Sequence, residues 1–401
     1  MRETLTNCLS WRIASLRGAR NLDILLIYAS VPALRAPCAS SRSDNYSVFP
    51  LGDGTRNTYF IRHKERVMTQ ENGPEKILKM AQGFMESRIL LSAAELNLFT
   101  LLSEKPLTAK EIGGKISGDA KALATLLDAV TAIELLRKKD DTYFCEPDVA
   151  KYLSDDSPAT VLPMVLHAAS LWTRWARLTS IAEGTPPSSL NMDFSRNEKE
   201  LEAFIGAMHS IGEPMARMIA ADVNPGGARS LLDVGGGSGT YTIAFLRAVP
   251  ELKATIFDMP QVIEMARTRL DHAGLLGRAR LVGGNFYRDE LPGGHDLVLL
   301  SAIIHSNSPE QNLDLYQKIF RALVPGGRLL IRDHVMAPDR VRPRNGAIFA
   351  VNMLVGTLGG GTYTYDEIAS ELTEAGFVNI RLLREGERMD AVVEAFKPSD
   401  N

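Results

Sequence analysis

Ser230-Leu-Leu-Asp-Val-Gly-Gly-Gly-Ser-Gly239 is the stretch on which the reading of this chain turns. Its first five residues are short and mostly apolar, as a buried strand is, and a helical pattern follows over 241–249. The glycines between allow a tight turn and let a ligand approach the backbone closely. Asp258 closes the next strand about 20 residues on, where an acid can accept hydrogen bonds from both hydroxyls of a ribose. NAD and S-adenosylmethionine both satisfy that pair of features. Two details favour S-adenosylmethionine. Asp233 precedes the glycines and can hold an amino-acid group, directly or through water. The spacing Gly235-x-Gly237-x-Gly239 also departs from the dinucleotide pattern G-x-G-x-x-G. S-adenosylmethionine has no pyrophosphate, so it needs no helix N-terminus aimed at one.

Downstream, the chain alternates strand and helix. Strands are predicted over 230–234, 254–257, 279–282, 297–301 and 328–332, each short and apolar, which signals a parallel sheet with helices on both faces. Two strands in succession, 377–383 and 390–396, predict a terminal antiparallel hairpin. The fold class expected for 226–397 is therefore α/β, a doubly wound Rossmann-like sheet of the class I methyltransferase kind.

Upstream, 68–157 reads as a small helical domain of winged-helix pattern. Ile77, Met80, Phe84 and Arg88–Leu91 fall at helical spacing, Thr108 and Glu111 form a capping box, and Asp119 can cap the next helix. Leu135–Cys145 reads as a hairpin turning at Asp140-Asp141. A DNA reader should carry cations along its recognition helix; here that helix offers Lys121 and little else, so dimerisation is the expected role and no nucleic-acid partner is expected. Residues 158–225 form a helical linker. Its Met164, Leu166, Leu171, Trp172 and Trp175, then Phe204, Met208, Met215 and Met218, are either core or the wall of an adaptable pocket.

Composition supports an ordinary soluble enzyme: 401 residues, 45% hydrophobic, 23% charged, with a net charge of −3. The balance gives no electrostatic reason for nucleic acid as main partner. Cys8, Cys38 and Cys145 leave the body with a single thiol, which fits a reducing, cytoplasmic setting. No apolar run reaches the roughly 20 residues of a spanning helix, and no metal site is expected. Residues 1–67 differ from the rest, being rich in Arg and Ser. They read as a leader, disordered or an over-called start before Met68; a targeting peptide around Ile24–Ala29 is the alternative.

Leu232-Asp-Val-Gly-Gly-Gly-Ser-Gly239, Ile256-Phe-Asp-Met-Pro260, Val282-Gly-Gly-Asn-Phe286, Leu300-Ser-Ala-Ile-Ile-His305 and Pro325-Gly-Gly-Arg-Leu-Leu-Ile331 occur in an order that resembles the motifs of the plant caffeate and acetylserotonin type O-methyltransferase family. The resemblance covers roughly residues 75–397. It implies that Gly235 sits at the methionine portion of the cofactor, Asp258 at the ribose, and Asn285 and Phe286 at the adenine, with Gly237 a further cofactor-binding residue. Asn285 stands where the family usually has Asp, and Ser301 where plant members often have Lys. It further implies a homodimer through the N-terminal domain and a small hydroxylated acceptor, held in a pocket drawing on Phe204, Met208, Met353 and Thr357.

A phenol of pKa about 10 is mostly protonated at neutral pH, so a base near the acceptor raises its reactivity, typically by about 10² to 10⁴. His305 lies just past the strand 297–301, at the carboxyl edge where ligands bind in doubly wound sheets, and matches the family's catalytic histidine. The family commonly continues His-Asp-Trp-Ser-Asp-Glu; this chain reads His305-Ser-Asn-Ser-Pro-Glu310, with Asn307 at the Trp position. The acid that orients the histidine maps to Asp333. A second acid maps to Thr362, which carries no charge. Two other functions stay open: C-methylation of a tetrapyrrole-like carbon acid, and a catalytically impaired, cofactor-binding winged-helix regulator.

Overall fold

The structure is a computed structural model that describes residues 73–187 and 198–400, with the backbone of four short strands upstream. Contacts divide the chain into two units, Met1–Phe84 and Met85–Asn401. In the first unit the strands Arg12–Ser15, Leu25–Tyr28, Tyr46–Leu51 and Thr58–His63 pair antiparallel, the second lying between the first and fourth. The remainder of the leader reading lies outside the described residues.

The second unit opens with a helical layer. Helix Ala109–Ile116 starts at Thr108, whose hydroxyl accepts from the Glu111 amide while the Glu111 carboxylate accepts from the Thr108 amide, as the capping-box spacing predicts. Helix Ala120–Ala132 starts at Asp119, which accepts from the Ala122 amide at 2.7 Å. Strands Arg137–Lys139 and Thr142–Phe144 form the expected hairpin, with Asp140 at positive φ in its turn. Leu107–Thr108 adds a third strand that the sequence reading lacked. Leu98, Phe99, Ile112, Leu127 and Tyr143 bury themselves between these elements as a core separate from that of the sheet.

Seven strands form the sheet: β1 Ser230–Val234, β2 Lys253–Asp258, β3 Ala279–Gly283, β4 His295–Ser301, β5 Leu323–Asp333, β6 Val378–Arg384 and β7 Ala391–Phe396. Their order is β3-β2-β1-β4-β5-β7-β6. The first five run parallel, and β7 enters antiparallel between β5 and β6. This is the class I methyltransferase sheet with its terminal hairpin. Six helices flank it: α1 Glu198–Asp222, α2 Thr240–Ala248, α3 Pro260–His272, α4 Pro309–Ala322, α5 Arg344–Gly356 and α6 Tyr365–Glu374.

Both faces of the sheet are covered, so its central strands are apolar throughout rather than alternating. Val298 and Leu300 of β4 join Leu315, Tyr316 and Ile319 of α4 and Ile368 and Leu372 of α6. Leu297 and Leu299, one residue out of phase, join Ile219 of α1, Phe245 and Leu246 of α2 and Ala266 and Leu270 of α3. Strand order reverses between β1 and β4. Both carboxyl ends therefore open on one crevice, where a doubly wound sheet binds its ligand. No helix among the described residues is long and apolar enough to cross a membrane.

Candidate active site

The turn after β1 is a cradle that side chains would fill. Gly235 and Gly237 have φ of +67° and +57°, a region costly for any residue with a Cβ. A Cβ on Gly235 would lie 2.6 Å from Ile303 Cδ1 and 3.6 Å from Phe286, whereas one on Gly237 would meet no atom within 4 Å. One glycine thus closes against the loops after β3 and β4, and the other faces open space. Asp258 at the end of β2 fixes the turn by accepting from the Gly237 amide at 2.7 Å and from the Met259 amide at 2.7 Å. Each of its oxygens retains acceptor capacity for a ribose hydroxyl. Burial pushes its pKa up, against those two amide bonds.

Asp233 stands behind the turn, near the end of β1. It is 1% exposed and accepts from the Thr242 hydroxyl at 2.6 Å. A Cβ on Gly236 would meet its carboxylate at 2.9 Å. The acid therefore braces the turn from behind, tying β1 to α2 through one of its oxygens. Burial raises its pKa to about 6.

Asn285 and Phe286 follow β3 and border the turn from the other side. The Asn285 side-chain oxygen accepts from the Tyr287 amide at 2.9 Å, so it orders its own loop besides any contact with a base. The Tyr287 hydroxyl donates to Asn307 Oδ1 at 2.6 Å, and Asn307 donates in turn to Asn312. Asn307 is fully buried. This chain of amides occupies the place where the family pattern has a Trp.

His305 sits on the short turn Ile304–Ser306 beyond β4 and is 9% exposed. Its Nδ1 lies 2.9 Å from each oxygen of Asp333, at the end of β5. Adjacent parallel strands bring the two together across 28 residues of sequence. A carboxylate accepting from Nδ1–H leaves the lone pair on Nε2, the tautomer a general base needs. Burial drives the Asp333 carboxyl up. The His305 ring, by charge and hydrogen bond, outweighs it together with the His334 amide and Arg332, so the group stays below the usual carboxylate range. The Gly359–Gly361 segment packs on this turn: the Gly361 amide donates to the His305 carbonyl at 2.9 Å, and a Cβ on Gly360 would come within 2.4 Å of that oxygen.

Thr362 is buried but gives His305 no carboxylate. Glu367 nearby is engaged instead in the cap of α6 and in an ion pair with Arg340. Of the expected acceptor-pocket residues, Met353 is buried and Met208 is 38% exposed. The Thr357 hydroxyl donates to the Met353 carbonyl and accepts from the Gly360 amide, so it ends α5 rather than offering a free group to an acceptor. The side chain of Phe204 lies outside the described residues. Trp175 ties the helix Leu162–Trp175 to α5 through Asn352 at 2.9 Å.

Phe349, which the sequence reading missed, stands edge-on to the His305 ring at 4.9 Å. It lies one helical turn before Met353, so helical periodicity places it on the same face as a residue the family pattern nominates. Ser301 accepts from Arg332, its register partner on β5, at 3.4 Å. A separate cavity of about 540 Å³ opens across the outer side of α2, lined in part by His209, Arg217, Arg247 and Arg269. Neither His305 nor Asp333 borders it.

A glycine cradle, a carboxylate closing the next strand and a buried His–Asp pair at the carboxyl edge of this sheet are what an S-adenosylmethionine-dependent methyltransferase of this fold presents. The comparisons with known proteins carry this further. A family model for the O-methyltransferase domain matches residues 183–378, and one for the O-methyltransferase dimerisation domain matches 78–155. The chain is 32% identical over 316 residues to the 3-hydroxy-5-methyl-1-naphthoate 3-O-methyltransferase of Streptomyces sahachiroi, covering 78% of this chain and 91% of that one. It is 31% identical to the tetracenomycin polyketide synthesis 8-O-methyl transferase of Streptomyces glaucescens, covering 78% and 94%. In fold it is similar to human N-acetylserotonin methyltransferase solved in complex with S-adenosylmethionine, with a TM-score of 0.67 and 24% identity over 82% of this chain and 99% of that one. The chain belongs to the S-adenosylmethionine-dependent O-methyltransferase family.

Proposed function

We propose that this enzyme methylates a hydroxyl of a small aromatic or polyketide-derived acceptor, with His305 as general base and Asp333 as the group that orients it. The observation that carries the reading is the two-oxygen contact of Asp333 with His305 Nδ1 at 2.9 Å. Bound cofactor supplies a methyl group on a sulfonium. His305 Nε2 takes the acceptor's hydroxyl proton as that oxygen becomes an ether; the sulfonium, once bound, would keep the carbon–sulfur bonding pair on giving up its methyl group. Because a sulfonium is already activated, the protein's work is to position the oxygen and remove its proton. The edge-on Phe349 and the buried Met353 support an apolar, aromatic-accepting wall. The two Streptomyces relatives, named for hydroxynaphthoate and polyketide substrates, favour the same acceptor class.

Asp258, Asn285 and Phe286 are proposed to bind the nucleoside, Gly235, Gly237 and Ser301 to line the cofactor path, and Met208 and Met353 to face the acceptor. The domain bounds 68–157, 158–225 and 226–397 belong to the same proposal. A homodimer is supported by the dimerisation-domain match and by the exposed apolar side chains Ile77, Leu78 and Met80 of the helix Pro74–Gln82. A cytoplasmic location is proposed from composition, since Cys145 is the one thiol after residue 67.

Mass spectrometry of products from a panel of hydroxynaphthoates, phenols and tetrapyrroles tests the acceptor class. A methyl ether on a hydroxylated aromatic is the expected product. Methylation at carbon alone would contradict the reading.

A further inference from the structure

Arg332 is a buried cation that makes no ion pair within salt-bridge distance among the described residues. Its side chain rises from β5 on the α1–α2 side of the sheet and is only 8% exposed. Its polar contacts are the Ser301 hydroxyl at 3.4 Å and the Met215 thioether at 3.1 Å. The guanidinium stacks over the Tyr241 ring at 5.1 Å. Arg332 Nε and the Tyr241 hydroxyl are both buried with no hydrogen-bond partner. A ring face and a sulfur recover only part of the hydration an arginine loses on burial.

The place matters as much as the deficit. Ser301, the register partner of Arg332, ends β4, and β4 lies directly beside β1, whose last residue Val234 leads into the glycine turn. Tyr241 is the second residue of α2, immediately beyond that turn. Two buried donors without partners therefore sit together, one on a strand two places from β1 and one in the first turn of the helix that follows the glycines. Asp233, the acid expected to serve an amino-acid group here, carries the same sign as a carboxylate and already accepts from Thr242 through one oxygen.

We propose that Arg332, with the Tyr241 hydroxyl, receives the carboxylate at the amino-acid end of the cofactor and so selects ligands that carry it. Arg332 acts as a binding residue; it takes no part in proton transfer. The proposal rests on the S-adenosylmethionine site and deepens it.

Isothermal titration calorimetry with two ligands tests it without turnover: S-adenosylhomocysteine, which carries the carboxylate, and 5′-methylthioadenosine, which lacks the amino-acid group. Arg332→Met is expected to weaken S-adenosylhomocysteine roughly 10- to 100-fold, the worth of a charge-assisted hydrogen bond. Methylthioadenosine should bind variant and wild type within about twofold, since no contact to it changes. Tyr241→Phe keeps the ring under the guanidinium and is expected to show a smaller loss with the same selectivity; it decides the matter if Arg332→Met does not fold. Unchanged affinity for S-adenosylhomocysteine, or equal loss for both ligands, overturns the proposal in favour of a packing role. If wild-type protein bound neither ligand, the cofactor site itself would be wrong and the proposal with it.

Discussion

His305 and Asp333 stand on neighbouring strand ends, and each fixes the other. Asp333→Asn replaces one acceptor oxygen by a donor, which competes with the Nδ1–H contact and favours the wrong tautomer. It is expected to lower kcat by roughly 10², the lower end of a general-base contribution, with cofactor affinity unchanged; steady-state kinetics beside calorimetry check both. Asp233 behaves oppositely. Burial raises its folded-state pKa to about 6, above the 3.8 of an ordinary Asp carboxyl. Between those values the folded state holds more protons than the unfolded one, so this group's contribution to stability falls as pH rises from about 4 to about 6 and is level outside that window. At about 1.4 kcal/mol per unit, the change is on the order of 2–3 kcal/mol. Denaturant unfolding of Asp233→Asn across that range should show a flatter pH dependence than wild type. Parallel curves would contradict the assigned burial cost.

At the scale of elements, the glycine turn is set by conformation before any ligand contact. Gly235→Ala places a Cβ 2.6 Å from Ile303 Cδ1 at a φ of +67°. The isoleucine end can yield, but the backbone strain remains, so a loss of about 1–2 kcal/mol in stability is expected. Displacement of Ile303 should weaken S-adenosylhomocysteine as well; wild-type melting and affinity together would refute the cradle. The strands were legible because their apolar runs are bounded by turn residues, and β1 begins and ends where the sequence places it. β5 was legible over 328–332 but its start was not, since Pro325-Gly-Gly reads as a loop. The chain instead stays extended beside β4 through a register shift and begins at Leu323. In the proposed site, the positions of Asp258 and His305 at strand ends were readable from their motifs, and the contact of Asp333 with His305 from its match to the family acid. The Tyr287–Asn307 and Arg332–Tyr241 contacts were not. Their partners are 20 and 91 residues apart, from Tyr287 to Asn307 and from Tyr241 to Arg332, and only the strand order brings them together.

For the whole molecule, the exposed Ile77, Leu78 and Met80 predict association through the N-terminal helical region. Sedimentation of the full chain should give a species near twice 43.9 kDa. Ile77→Glu with Met80→Glu should shift it toward the monomer, and a purely monomeric wild type would contradict the expectation. The central claim is a methyl transfer to oxygen assisted by His305, and its most direct test is single-turnover kinetics of His305→Ala on an accepted phenol, with S-adenosylhomocysteine affinity measured on the same preparation. The expected result is a rate lower by roughly 10² to 10⁴ with the affinity intact. A variant that turned over within a few fold of wild type would show that His305 is not the base.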